Sequence, residues 1–305
     1  MSAHTFYKER AMNKVRLSWV ILLCAVVAVG GLVSSCASTD GTAATGEKPV
    51  IVIAAFGSSY ESGLKDLESF DTAVREAFPD HKVTWAFTAS FIVDKLKEEG
   101  KDTIFARGVP VRTLREVYAD LRKQGKRRVL VQSLHMMVGQ EYRQAITAPT
   151  DGLNVKYSHS LLFYPENIQN VVNALEPQFG DPDDTVTILC AHGNEKHLEY
   201  NAELVRINNY LHENYDHTHL AVMEGIPQFG PVEKAVEDAD VSKVQFVTFM
   251  LTYGDHMSND VMGDGEDSMK SRLELPADCT GGLAGHSKVQ DLFINNMKLV
   301  MDQFM

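Results

Sequence analysis

His192, Glu224 and His256 stand at the ends of three runs of β-forming residues, Thr185–Cys190, Leu220–Met223 and Val244–Leu251. Two neutral imidazoles and one carboxylate suit divalent cobalt, iron, nickel or zinc and leave coordination positions open for a reacting partner. No thiolate belongs to the set, so a closed structural site is not implied. An imidazole titrates near neutrality and can also take up a proton. A single strand-end histidine is ordinarily satisfied by nearby backbone; the signal here is that all three groups occupy equivalent places.

The elements that must position them follow an alternating pattern. Val50–Ala55, Val83–Phe87 and Val129–Leu134 read as strands apolar on both faces, which suits a sheet buried between helix layers. Leu64, Leu67, Phe70, Val74 and Ala77 recur at helical spacing, as do Val111, Leu114, Val117, Tyr118 and Leu121 before Gly125. Alternation of this kind predicts an α/β fold with mostly parallel sheets flanked by helices. The pattern then restarts. Ala191-His192-Gly193 aligns with Ala55-Phe56-Gly57, Glu224 with Thr88, and Gly254-Asp255-His256 with Gly139-Gln140-Glu141. A fourth strand near Val155–Phe163 has no clean counterpart, because Ser271–Leu283 contains Pro276 and two glycines. Ligands of such sheets bind beyond the carboxyl ends of the strands. The apolar positions Val289, Leu292, Phe293, Met297, Val300 and Phe304 predict a final helix able to brace one half against the other.

The segments Ala191-His192-Gly193, Glu224-Gly225-Ile226-Pro227 and Gly254-Asp255-His256-Met257-Ser258-Asn259-Asp260 resemble signatures of the anaerobic-type sirohydrochlorin cobaltochelatases. Val131-Gln132-Ser133-Leu134-His135, Gly139-Gln140-Glu141-Tyr142 and Phe56-Gly57-Ser58-Ser59-Tyr60 are similar to the same family, over roughly Pro49–Met305. The resemblance implies two flavodoxin-like halves with a tetrapyrrole cleft between them, and a lyase that forms nitrogen–metal bonds by inserting Co2+ into sirohydrochlorin. It further implies that His192, Glu224 and His256 hold the incoming metal and serve the chemistry. Fe2+ and Ni2+ suit the same donors. Phe56, Ser58, Ser59, Tyr60, Thr88 and Glu141 are the substrate-binding candidates, and Phe87, Met136, Met137, Met250 and Tyr253 are candidate apolar walls. His135 could line the cleft, be a satisfied strand-end residue, or ligate haem. The alternative to catalysis is an exported metal- or haem-binding protein on the same fold. A homo-oligomer is the expected assembly of this class.

Acidic residues outnumber Lys and Arg 41 to 29 over 305 residues, a formal charge of −12. That balance argues against a nucleic-acid partner. A substrate bearing many carboxylates therefore needs a local basic surface, for which Lys95, Lys97, Lys101, Arg107, Arg112 and Arg115 are candidates. Asp260, Asp264, Glu266 and Asp267 read as a solvated acidic loop. Residues 1–35, with Lys8, Arg10, Lys14 and Arg16 before an uncharged run from Leu17 to Val33, read as an export signal to the periplasm. Val33-Ser34-Ser35-Cys36 resembles a lipobox, so Cys36 is either a lipid anchor to the membrane or an unmodified residue after ordinary cleavage. Removing residues 1–35 takes four bases and one acid from the totals, leaving 25 against 40, or −15. Residues 36–48 read as a flexible tether, residues 49–182 as the first α/β half, and residues 183–305 as the second, carrying the metal-site candidates.

Overall fold

Strand β1, Val50–Ala55, is buried at all six positions, as a run apolar on both faces requires. In the computed structural model, residues 47–305 are described; the export-signal, Cys36 and most of the tether expectations lie outside the described residues. In the first half β1 is followed by α1 (Glu61–Ala77), β2 (Val83–Phe87), α2 (Ser90–Glu98) and a short antiparallel pair, β3 (Thr103–Ile104) with β4 (Val109–Pro110). Next come α3 (Leu114–Lys123), β5 (Arg128–Leu134), α4 (Gln140–Thr147), β6 (Asn154–Ser158) and α5 (Asn167–Leu175). The helix expected from Val111 begins at Leu114, because Thr113 and Glu116 form a reciprocal capping box there.

The second half runs β7 (Thr185–Gly193), α6 (Ala202–Asn214), β8 (Thr218–Glu224), α7 (Phe229–Asp238), β9 (Lys243–Thr248), α8 (Met269–Leu273), β10 (Ala277–Cys279) and α9 (Ser287–Met301). The two four-stranded sheets have the orders β2-β1-β5-β6 and β8-β7-β9-β10, both wholly parallel. Numbered within each half, both read 2-1-3-4, the order in which flavodoxin-like sheets begin. The repeat is more complete than the sequence pattern implied. Strand β10 supplies the fourth strand that Ser271–Leu283 was expected to lack, but with three residues it is too short to register as a pattern. Pro276 lies just outside it, where its missing N–H costs no ladder bond and its carbonyl accepts from Val244 N at 2.9 Å. In the other direction, the strand expected to reach Phe163 ends at Ser158, and Leu161–Phe163 is a 3-10 turn.

Alternation along the strands sorts the apolar residues into layers. Ile51, Ile53 and Ala55 of β1, with Leu189 and Ala191 of β7, belong to one continuous core spanning both halves. Val50, Val52 and Ala54 face a separate outer layer of the first half, while Val186, Ile188 and Cys190 face that of the second. Helix α9, expected as a brace, packs against β5, β6, α1 and α5 of the first half. Phe293 meets Phe70 edge-on at 5.5 Å, and Gln290 Nε2 donates to Ser69 Oγ at 2.9 Å. The last helix therefore closes the shell of the first half although it lies within residues 183–305.

One charge is buried in this framework. Asp71 on α1 is fully buried; it accepts from Arg75 Nε at 2.9 Å and Trp85 Nε1 at 2.8 Å and forms an ion pair with Arg107 Nε at 2.9 Å. Two guanidinium partners and an indole N–H together compensate a carboxylate that has lost its water.

Candidate functional site

The carboxyl ends of the central strands border a cleft of about 630 Å³. The first half contributes Phe56–Tyr60 after β1, Phe91 and Lys95 on α2, Leu134–Met137 after β5, and Glu141 on α4. The second contributes His192–Asn194 at the end of β7 and the Met250–His256 segment after β9. Phe56 and Phe91 remain 40% and 60% exposed and pack edge-on at 5.6 Å. Two large apolar rings held at the surface of a cleft mark a wall prepared for a flat or apolar guest.

On the opposite wall the rings of His192 and His256 lie 4.5 Å apart, nearly perpendicular. His192 Nδ1 lies 2.8 Å from the Gly193 carbonyl, and His256 Nδ1 lies 2.6 Å from Asp260 Oδ2. Both partners accept only, so in the neutral rings Nδ1 carries the proton and each Nε2 keeps a lone pair. That is the tautomer a metal ligand needs, fixed by a neighbour that orients the ring. Gly193, with φ +76°, lets the end of β7 turn against β8; a Cβ there would collide with the Glu224 carbonyl. Asp260, expected to be merely solvated, is thus the carboxylate that orients His256 from i+4. Asp260→Asn is expected to weaken binding of Co2+ by about 10–100-fold, measured by titration of the protein with the metal, with the secondary structure unchanged by circular dichroism.

The segment carrying His256 is held by the first half. Asp66 on α1 accepts from Tyr253 N at 2.7 Å and from Gly282 N. Ser62 Oγ donates to the Tyr253 carbonyl at 2.7 Å, and the Tyr60 hydroxyl donates to Asp255. Burial pushes the Asp66 carboxyl up despite its two amide donors, whereas the Tyr60 hydroxyl holds Asp255 below the usual carboxylate range. A Cβ on Gly282 would occupy the place of the Asp66 carboxylate. Residues of α1 and the turn before it therefore set the position of a histidine almost two hundred residues away.

Other expected residues fall in different places. Phe56, Ser58, Ser59, Tyr60 and Glu141 line the cleft, as do Met136, Met137 and Met250. Thr88 does not: its hydroxyl is engaged with the Ala55 carbonyl at 3.3 Å and His135 Nε2 at 3.1 Å. Phe87 is core, 1% exposed, and Tyr253 contributes its backbone to the Asp66 clamp instead of a wall. Glu224 ends β8 opposite Gly193 in register, with its side chain exposed and outside the cleft lining. Among the described residues no three His, Cys, Asp or Glu side chains stand close enough together to hold a metal. The structure thus joins the two imidazoles but leaves the carboxylate one strand away.

His135 lines the cleft but is only 8% exposed, and burial lowers its pKa to about 4. Its Nδ1 is 2.8 Å from Ser133 Oγ and its Nε2 meets Thr88. Both nitrogens are engaged, so the residue does not fit haem ligation without surrendering one of these bonds. Of the six bases considered, Lys95 alone lines the cleft. Lys97, Lys101, Arg107 and Arg112 pair with Glu116, Glu99, Asp71 and Asp120 respectively. Arg143 of α4 lies 5.2 Å over the ring of Tyr200, a cleft residue of the second half. Neither Phe91 nor Tyr200 carries a sequence signal beyond being an aromatic residue near a helix start.

Residues 49–302 match the family model described as "Cobalt chelatase (CbiK)". The chain is 28% identical over 239 residues to "Sirohydrochlorin cobaltochelatase CbiKC" of Nitratidesulfovibrio vulgaris, covering 74% of this chain and 80% of that protein. It is 23% identical over 266 residues to "Sirohydrochlorin cobaltochelatase" of Salmonella typhimurium, covering 82% and 95%. Among solved structures it is similar in fold to SirB from Bacillus subtilis with Fe3+, at TM-score 0.57 and 13% identity, covering 83% of this chain and 96% of that one. DR2241 from Deinococcus radiodurans, described as a multi-domain protein with structural similarity to chelatases, matches at TM-score 0.53 and 14% identity, covering 82% and 55%.

Proposed function

The chain belongs to the CbiK cobalt chelatase family, and on that premise we propose that it inserts Co2+ into sirohydrochlorin in the cleft between its two sheets. The observation that carries this reading is the His192–His256 pair, rings 4.5 Å apart on the wall of the cleft, with Nδ1 of each ring engaged. Two Nε2 lone pairs hold the ion loosely enough that ring nitrogens can replace them one at a time. Insertion exchanges two pyrrole N–H protons for one divalent ion, so two protons must leave as the metal–nitrogen bonds form. The imidazole released by the departing metal accepts one. Glu141, a carboxylate lining the cleft, accepts the other. Glu224 joins as the third donor when its exposed side chain turns toward the imidazoles, and it balances the charge of the ion. Phe56 and Phe91 pack on the macrocycle face and Ser59 offers a hydroxyl at its edge, while the Ser58 hydroxyl accepts from Tyr60 N at 3.1 Å and holds that turn.

The test is the absorption spectrum of sirohydrochlorin with Co2+, followed with and without the protein; equal rates overturn the proposal. The same donors accept Fe2+ and Ni2+, and competition among the three ions under one assay assigns the metal. Lys95 meets the carboxylates of the substrate from a cleft whose protein is otherwise strongly acidic. Lys95→Glu is expected to raise KM roughly tenfold, more at low salt, with kcat little changed. An unchanged KM in steady-state kinetics would remove Lys95 from substrate binding. The basic, apolar and small-residue pattern of residues 1–36 supports reaction outside the cytoplasm. Mass spectrometry of the mature amino terminus tests this: a chain beginning at Met1 or Met12 contradicts export by cleavage.

A further inference from the structure

Away from the cleft, the segment from His212 to His219 gathers three histidines between the end of α6 and the start of β8. His212 Nε2 lies 3.1 Å from His219 Nδ1, with the rings 5.1 Å apart and steeply inclined. As a hydrogen bond this contact holds one proton between two lone pairs. The same spacing suits a metal: two nitrogens bound side by side at the usual 2.0–2.1 Å from one ion stand about 2.8–3.4 Å apart, from right-angled to tetrahedral geometry. To admit it the two rings need only turn so that their lone pairs converge on the ion.

The scaffold around the pair is stiff. Leu211 and Leu220, each next in sequence to one of the histidines, are fully buried. Leu220 N donates to Asn208 Oδ1 of α6 at 3.1 Å, tying helix to strand. The turn between them is anchored by Tyr215 N to the Leu211 carbonyl at 2.8 Å and by Thr187 N to the His217 carbonyl at 2.9 Å. His212 and His217 are exposed, and His217 holds a left-handed conformation at φ 46°. No third donor stands close enough among the described residues to complete a three-residue site, so water must fill the remaining positions.

We propose that His212 and His219 form an accessory site for a divalent ion that favours imidazole, of the class Co2+, Ni2+, Cu2+ or Zn2+. Nitrogen donors discriminate against Mg2+ and Ca2+, which take oxygen ligands. The site is remote from the cleft: His219 stands opposite Ile188 on β7, five residues or about 17 Å before Gly193 of the cleft wall. An ion held there adds to the metal bound per chain without occupying the His192–His256 pair.

The test uses untagged full-length protein carrying His192→Ala and His256→Ala, which removes the cleft imidazoles whatever their role. Equilibrium dialysis against Ni2+ is expected to retain one ion per chain, and adding His212→Ala to lower the affinity roughly tenfold or more. With Cu2+, the electron paramagnetic resonance spectrum should show coupling to two imidazole nitrogens, lost in the His212→Ala protein. His212 is exposed, so its replacement leaves the fold intact, and His212→Ala alone should leave Co2+ insertion unchanged. Absence of bound Ni2+ in the double variant, or binding undiminished by His212→Ala, would overturn the proposal.

Discussion

In an insertion assay with sirohydrochlorin and Co2+, His192→Ala and His256→Ala are each expected to lower kcat/KM on the order of 10²–10⁴-fold. On the proposed reading each removes a ligand and a proton acceptor together, leaving the remaining imidazole to retain the ion through a single nitrogen. The double variant should be little worse than either single one, because groups acting as a unit on one ion lose their joint effect with the first deletion. His192→Ala leaves the Gly193 backbone in place, and His256→Ala removes a half-buried ring from the edge of the cleft, so neither change should unfold the protein. Thermal unfolding of each variant separates a lost site from a lost fold. Wild-type rates in either single variant would sink the assignment of the pair as metal holder.

Asp71→Ala should produce a large loss of stability from a single side chain. It leaves Arg75 Nε, Arg107 Nε and Trp85 Nε1 without their shared carboxylate. Breaking a buried ion pair from one side costs about 3–5 kcal/mol. Arg75 and Arg107 keep 28% and 44% of their side-chain surface exposed, so water relieves part of their loss, placing the expected value near the lower end, about 3 kcal/mol. Asp71→Asn keeps an acceptor for Trp85 and should cost less. Urea unfolding monitored by tryptophan fluorescence reads both, since Trp85 is itself fully buried. A change below about 0.5 kcal/mol, the range of ordinary surface substitutions, would show that the buried carboxylate is dispensable.

Long strands buried on both faces were legible from the sequence, because runs such as Val50–Ala55 leave no polar face to place outward. Repeats of their ends pointed to His192, His256 and the Phe56–Tyr60 turn, which the structure places along one cleft. Strand β10 escaped because three residues cannot establish a period. Thr88 was misplaced because alignment of halves assigns an equivalent position but not an equivalent partner; its hydroxyl is taken by Ala55 and His135. From sequence Asp260 reads as part of an acidic loop, since its relation to His256 depends on the helical turn over Met257–Val261. The Asp66 clamp depends on the two halves facing each other, which no local window contains. Basic side chains misled in the opposite way: four of the six candidates are paired, Lys101 and Arg112 with acids nearby in sequence and Lys97 and Arg107 with acids brought in by tertiary packing.

The position of α9 has a consequence for how the two-fold repeat is to be understood. The interior that begins with β1 is covered over β5 and β6 by α9, so that part of the first sheet stays open to solvent until residues 287–301 are in place. A polypeptide stopped near residue 182 would present that unsealed surface to solvent, and the detached remainder would carry a helix with nothing to cover. Internal symmetry has survived here as a spatial arrangement, while the autonomy of the two units has not.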